Sequence, residues 1–185
     1  MALKATICRA TLQIADMDRH YYGDHALIIA RHPSETDTRM MVRVLCYALH
    51  ASDTLAFGKG LSTDDEPDLW QKDLTGAIES WIDVGQPDER RIRKACGRAR
   101  EAYVYSYGDH GVGVWWSQLN SGLARCRNLT VKRLPGAAAQ ALSRLAGRNM
   151  ELHCTIQDDH VWLSDGKETV DLVPETLQAP EAGQR

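Results

Sequence analysis

The sequence predicts an α/β protein, a mixed β-sheet flanked by helices. Segments of strand-like alternation are interleaved with segments of helical spacing along the whole chain. Turn residues separate them at short intervals, with no internal repeat and no break in composition that would divide the chain. The 185 residues, 43% hydrophobic and 25% charged, are enough for one core of ordinary size. One domain is therefore expected over residues 1–174, followed by a weakly structured tail over residues 175–185.

Ala5–Asp16, with β-branched Thr6, Ile7, Thr11 and Ile14, reads as a strand. The polar turn Asp16–Arg19 leads to a second, His20–Arg31, whose run Ala26–Ala30 reads as buried on both faces. Pro33, Ser34 and Glu35 begin a helix, with Ser34 as its expected N-cap and acids in its first turn. Met41, Val44, Leu45 and Ala48 mark its apolar stripe, and it ends near His50. A short strand is expected at Leu55–Gly60, then a hairpin whose arms are Asp68–Lys72 and Ile78–Gln86. Pro87-Asp88-Glu89 opens a second helix carrying Ile92, Ala95, Cys96 and Ala99 on one face. Then come a strand at Glu101–Tyr107, a helix at Val114–Ala124, a strand at Asn128–Leu134 and a small-residue helix at Gly136–Ala146. Glu151–Val173 reads as a β-meander turning at Asp158-Asp159 and Asp165-Gly166.

Composition narrows the function classes. No apolar stretch is long enough for a membrane span, and the first residues lack the apolar segment of a secretory signal. A cytoplasmic protein is expected. The five cysteines are odd in number and scattered, which argues against a disulfide framework or a zinc ribbon. The net charge of −3 conceals an asymmetry, since residues 151–185 carry eight acids and two bases. The rest of the chain is mildly basic, and Arg90, Arg91, Lys94 and Arg98 give the second helix a basic face suited to phosphate contact with nucleic acid, or simply solvated. No G-x-S-x-G elbow or dinucleotide fingerprint is present, and Gly58-Lys59-Gly60 lacks the rest of a phosphate-binding loop. Trp115 and Trp116 read as packing residues.

The hairpin carries the chemistry. With its turn at Thr75-Gly76, Lys72 faces Glu79, Trp70 faces Trp81 and Asp68 faces Asp83. The first two pairs stabilise a ladder, whereas two carboxylates ~5 Å apart repel. A divalent cation with oxygen ligands would relieve that repulsion, as would a shared proton or a nearby lysine.

The run Glu66-Pro-Asp-Leu-Trp70, the run Trp81-Ile-Asp-Val-Gly-Gln-Pro-Asp-Glu89 and the start Ala5-Thr-Ile-Cys-Arg-Ala-Thr-Leu12 resemble the YaeQ family of bacterial proteins over nearly the whole chain. That family is similar in fold to the PD-(D/E)XK nucleases, so the resemblance implies a restriction-endonuclease-like core. It also implies that Asp68 and Asp83 bind Mg²⁺ or Mn²⁺. The nuclease motif wants lysine two residues after the second acid, and this chain has Gly85 there, followed by Gln86. A bulge at Gly85 would turn Gln86 toward Asp83. Lys72 and Lys94 are the other substitutes, and Glu35 matches an acid that such nucleases often carry on the first core helix. Two readings follow: a metal-dependent nuclease or phosphodiesterase with an altered lysine position, or a binding module for nucleic acid or protein that keeps the fold without the chemistry.

Overall fold

Alternating burial along the first two strands sets the architecture. The computed structural model describes residues 4–59 and 65–182. In β1 (Thr6–Asp16), Cys8, Ala10, Leu12, Ile14 and Asp16 point inward, and the residues between them are more exposed. β2 (Tyr21–Arg31) pairs antiparallel with β1 and buries Leu27 and Ile29 only. The expectation that Ala26–Ala30 is buried on both faces fails, because Ala26, Ile28 and Ala30 look out of an uncovered sheet. β8 (Asn149–Gln157) lies parallel to β1, and β9 (His160–Ser164) and β10 (Thr169–Leu172) complete the expected meander. This first sheet has the order β10-β9-β8-β1-β2.

A second mixed sheet has the order β11-β7-β6-β5-β4-β3. It comprises β3 (Leu55–Phe57), β4 (Leu69–Lys72), β5 (Ile78–Val84), β6 (Ala99–Tyr107), β7 (Leu129–Leu134) and β11 (Glu175–Gln178). β3, β4 and β5 are antiparallel, whereas β5, β6 and β7 run parallel. Gly60, the end expected for the β3 segment, lies outside the described residues, as do residues 183–185 of the expected tail. The tail is not structureless at its start: Glu175–Gln178 pairs with β7 and Leu177 packs on the core.

Four helices are seen among the described residues: α1 (Asp37–His50), α2 (Glu89–Arg98), α3 (His110–Leu123) and α4 (Gly136–Ser143). Thr36, not Ser34, caps α1, accepting from the Arg39 N–H. Every residue from Met40 to Ala48 is buried, so α1 has no solvent stripe. One core joins the inner face of the first sheet, α1 and α4 to residues of the second sheet, including Leu69, Ile82 and Val84. A smaller core on the other face of the second sheet gathers Trp81, Val104 and Val131 with Ile92 and Ala95 of α2 and Leu123 of α3. A helix flanked by two sheets is buried all round, so its residues are mostly apolar and the buried Arg43 is the exception. None of the four helices is long and apolar enough to cross a membrane.

Candidate functional site

β5 carries the site because its alternation reaches both cores. Ile82 and Val84 face α1, while Trp81 belongs to the core under α2 and α3. Asp83 is two residues beyond Trp81 on the same side, and the Trp81 indole N–H donates to Asp83 Oδ2 at 3.0 Å. Across the hairpin Trp70 pairs with Trp81 as expected, their rings edge to face. Leu69 pairs with Ile82, and the same register continued by one residue sets the Asp68 backbone, just before the strand, opposite Asp83.

The two carboxylates are bound from opposite faces of the sheet. Arg39 of α1 donates Nη2 to Asp68 Oδ1 at 2.8 Å and to Oδ2 at 3.0 Å. The Val84 N–H donates to Asp68 Oδ2 at 2.7 Å. Arg91 of α2 grips Asp83 with two bonds, Nε to Oδ2 at 2.9 Å and Nη2 to Oδ1 at 2.8 Å. Both acids are buried. Burial pushes the Asp68 carboxyl above its ordinary range, Arg39 opposes that, and the Asp83 charge adds to it. Burial by itself would lower Arg39, but Asp68 and Glu35 outweigh it and raise it.

Glu35 joins the same network. Its carboxylate is buried and accepts from Arg43 Nε at 2.8 Å, Arg43 Nη2 at 2.7 Å and Arg39 Nη1 at 3.0 Å. Arg39 thus bridges Glu35 to Asp68. A helix-dipole role does not describe Glu35, which precedes the N-cap and points inward. Arg39 and Arg43 went unnoticed in the sequence. Their signal was the spacing Glu35, Arg39, Arg43, four residues apart, which stacks side chains on one helical face.

The residues expected to replace the missing lysine do not converge on the acids. Lys72 is exposed, with its ammonium 3.6 Å from the centre of the Trp70 ring. It faces Ile78, not Glu79, because the register shifts between Gln71 and Lys72. Lys94 pairs with Asp65 at 2.6 Å. Gly85 is not a bulge within a strand. β5 ends at Val84, and Gly85 turns the chain at φ +104°, a conformation L side chains rarely adopt. Gln86 is therefore exposed, its amide lying by Gly111 in the first turn of α3.

A divalent cation needs carboxylate lone pairs in negative surroundings. Here every oxygen of Asp68 and Asp83 already accepts from a donor, and each acid is neutralised by a guanidinium. The pair does not fit a metal unless both arginines leave. Among the described residues, no group of three or more His, Cys, Asp and Glu gathers to hold one.

The basic face of α2 is partly internal. Asp88 caps the helix, accepting from the Arg91 N–H at 2.8 Å, so Pro87 stands outside it. Arg98 lies over the Trp81 ring and donates to the Asp65 carbonyl. Arg93 pairs with Glu89, and Arg100 with Glu79. Asp88, Arg90, Arg91 and Lys94 line a cavity of about 200 Å³ beside Asp83. A larger groove of about 740 Å³, on the outer face of the first sheet, mixes Arg9 and Lys167 with Glu151 and Asp165 and does not reach the acids.

The comparisons with known proteins agree over almost the whole chain. The family described as YaeQ protein matches residues 1–174. Proteins named Uncharacterized protein YaeQ from Salmonella typhi and Escherichia coli K12 are each 43% identical over 180 residues, 97% of this chain and 99% of theirs. The crystal structure of YaeQ from Xanthomonas axonopodis pv. citri superposes with a TM-score of 0.92 at 52% identity, covering 95% of this chain and 99% of that one. The Pseudomonas syringae YaeQ structure gives 0.90 at 32% identity, covering 95% and 97%.

Proposed function

The chain belongs to the YaeQ family, and from that premise we propose that it is a binding module for nucleic acid on a nuclease-like scaffold, without metal-dependent cleavage. One observation carries the reading: Asp68 and Asp83 are each occupied by an arginine. The hairpin bearing both acids, followed by α2 and the parallel strand β6, supports the restriction-endonuclease-like core that the family resemblance implies.

In this reading Asp83 is a positioning residue. It holds the Arg91 guanidinium at the rim of the cavity shared with Arg90 and Lys94. Arg90, Arg91 and Lys94 line this cavity together with the capping Asp88, and a backbone phosphate would compete with Asp83 and Asp65 for their N–H groups. Such contacts fix a strand's position and carry no sequence preference.

The alternative reading, a Mg²⁺- or Mn²⁺-dependent nuclease or phosphodiesterase, has one observation in its favour. Asp68 feels the charge of Asp83, so the two acids are near each other. It requires Arg39 and Arg91 to withdraw.

Fluorescence anisotropy with single-stranded and double-stranded DNA and RNA, at rising salt, tests the proposal. Binding is expected to weaken as salt rises. Arg90→Ala and Lys94→Ala should weaken all sequences alike, each reducing the slope of log affinity against log salt by about one. No binding to any of these would overturn the reading. Metal-dependent cleavage that Asp83→Asn abolishes would establish the nuclease instead.

A further inference from the structure

β2 ends the first sheet, and β1 tells which of its backbone groups point outward. The Arg9 N–H donates to the Arg148 carbonyl, just before β8, at 2.7 Å. A strand residue aims its N–H and C=O to one side, so Arg9 turns both toward β8. Its antiparallel partner Ile28 therefore turns both away from β1. The alternation repeats every second residue, so Tyr22, Asp24, Ala26, Ile28 and Ala30 present their backbone groups to the edge. Ala30 agrees, since its carbonyl accepts from Arg43 Nη2 of α1 at 3.0 Å. That bond closes one end. From Tyr22 to Ile28 the edge has no partner strand among the described residues. Edge strands are usually blunted by lysine, proline, a bulge or shortness. β2 is 11 residues long, contains no lysine or proline and keeps its register with β1 throughout.

We propose that β2 pairs antiparallel with β2 of a second copy of this chain, about a two-fold axis at His25, so that two first sheets become one. Nothing in the nucleic-acid reading requires this edge. The open groups choose the register. An axis at His25 sets Tyr22 opposite Ile28 of the second copy and Asp24 opposite Ala26 of the second copy, and symmetry repeats both pairs. Every open N–H and C=O from Tyr22 to Ile28 then finds a partner, and the Arg43 bond to Ala30 stays intact. The side chains of these residues all lie on the outer face. Tyr22 and Ile28, 64% and 66% exposed, are the two large apolar side chains that β2 exposes, and this register brings them together twice.

Neighbouring registers fail. With the axis at Asp24, the two Asp24 carboxylates stand directly opposite, which is unfavourable, and Ile28 faces His20 outside the strand. With the axis at Ala26, Asp24 faces Ile28, and Tyr22 faces Ala30, whose carbonyl Arg43 already holds. The match of the strand with its own reverse, apolar residue against apolar residue at equal distances from His25, selects a second copy over any other extended chain. One strand pair buries less than the ~1,200 Å² that divides weak from stable interfaces, so the dimer is reversible.

Sedimentation equilibrium of the full-length protein from about 1 to 300 µM, a range that brackets such a weak dimer, tests this. A reversible monomer–dimer equilibrium is expected. Ala26→Pro removes an edge-facing N–H and no bond to β1, so it should abolish the dimer while circular dichroism shows a folded chain. Ile28→Lys changes only an exposed side chain and should weaken the dimer roughly tenfold, deciding the matter should the proline variant unfold. Asp24→Asn should tighten it, because Asp24 and its copy stand diagonally across the axis. Amide exchange reads the register: the N–H groups of Tyr22, Asp24, Ala26 and Ile28 should gain protection as concentration rises, whereas those of Gly23, His25 and Leu27 are already bonded to β1. A wild type that stays monomeric over the whole range overturns the proposal. So does a dimer that Ile28→Lys leaves unchanged, or one whose edge amides exchange at the same rate at every concentration.

Discussion

Arg43 is the residue whose burial most needs a partner. Its side chain is 2% exposed, inside a helix otherwise lined with Met, Val and Leu. Breaking a buried ion pair by removing one partner costs more than the pair contributes, because the other charge is stranded. Glu35→Gln should therefore destabilise the fold by about 3–5 kcal/mol, read from urea denaturation. Arg43→Met, which removes the buried cation and leaves Glu35 paired with Arg39, should cost less. Asp68 gives a pH signature. Its folded-state carboxyl is raised above the ordinary 3.8, so the folded protein binds this proton more tightly than the unfolded chain. The stability tied to that proton is present below 3.8 and lost as pH rises through the raised value. Stability measured against pH from 3.8 upward should lose this falling component in Asp68→Asn. His50 acts in the opposite direction. It is packed against Tyr103 and Tyr105 and bonded to the Tyr105 hydroxyl, and burial lowers it from 6.5 to about 3. A cation at a helix C-terminus is normally favoured, but here desolvation and the charges of Arg19 and Lys132 win. The stability it supports is complete above 6.5 and lost as pH falls toward 3. His50→Gln should flatten the acid limb over that window in thermal melts.

At the scale of the element, the β4–β5 hairpin agrees with its sequence where side chains are large and departs where the chain ends or turns. Trp70 and Trp81 pair as read, since two rings across a ladder exclude other registers. Lys72 did not keep Glu79 as its partner: the register shift beyond Gln71 leaves Glu79 to Arg100. Gly58, at the end of β3, fixes where Asp68 sits. Its N–H donates to the Asp68 carbonyl at 2.9 Å, and a Cβ there would stand 1.9 Å from the Pro67 carbonyl oxygen. That contact is backbone and cannot rotate away. Gly58→Ala should push the Pro67–Asp68 segment off Arg39 and lower the urea midpoint by more than Gly97→Ala, where a Cβ meets nothing. The helices were legible for the opposite reason. Their starts rest on local chemistry, within two residues of the expected Ser34 and Pro87: Thr36 and Asp88 cap α1 and α2 with local bonds.

At the scale of the molecule, the edges of the second sheet are set by segments distant in sequence. β11 covers the β7 edge, Glu175 pairs with Arg133, and the Glu181 N–H donates to the Arg127 carbonyl. Truncation after Pro174 would uncover that edge and remove Leu177 from the second core. It should lower stability by about 2 kcal/mol, the order of one buried leucine, measured by denaturant titration. The first sheet is uncovered on its outer face, where polar Arg9, Thr11 and Gln13 of β1 stand beside exposed Tyr22 and Ile28 of β2.

By itself the sequence determined the order and type of most elements, the single chain of mixed strands and helices, the Trp70–Trp81 register and the pair of acids worth examining. Those signals are local: periodicity, caps, turn residues and facing side chains within one hairpin. Only the tertiary structure decided that the strands divide between two sheets with α1 buried between them. Periodicity records which face of an element is apolar, and α1, buried on every face from Met40 to Ala48, does not say how many layers surround it. Only the tertiary structure, likewise, gave Asp68 to Arg39 and Asp83 to Arg91. A carboxylate in a sequence is a charge that must be compensated, and a metal, a proton and an arginine all satisfy that requirement. The choice among them is made by side chains 29 and 8 residues away, brought within bonding distance by packing.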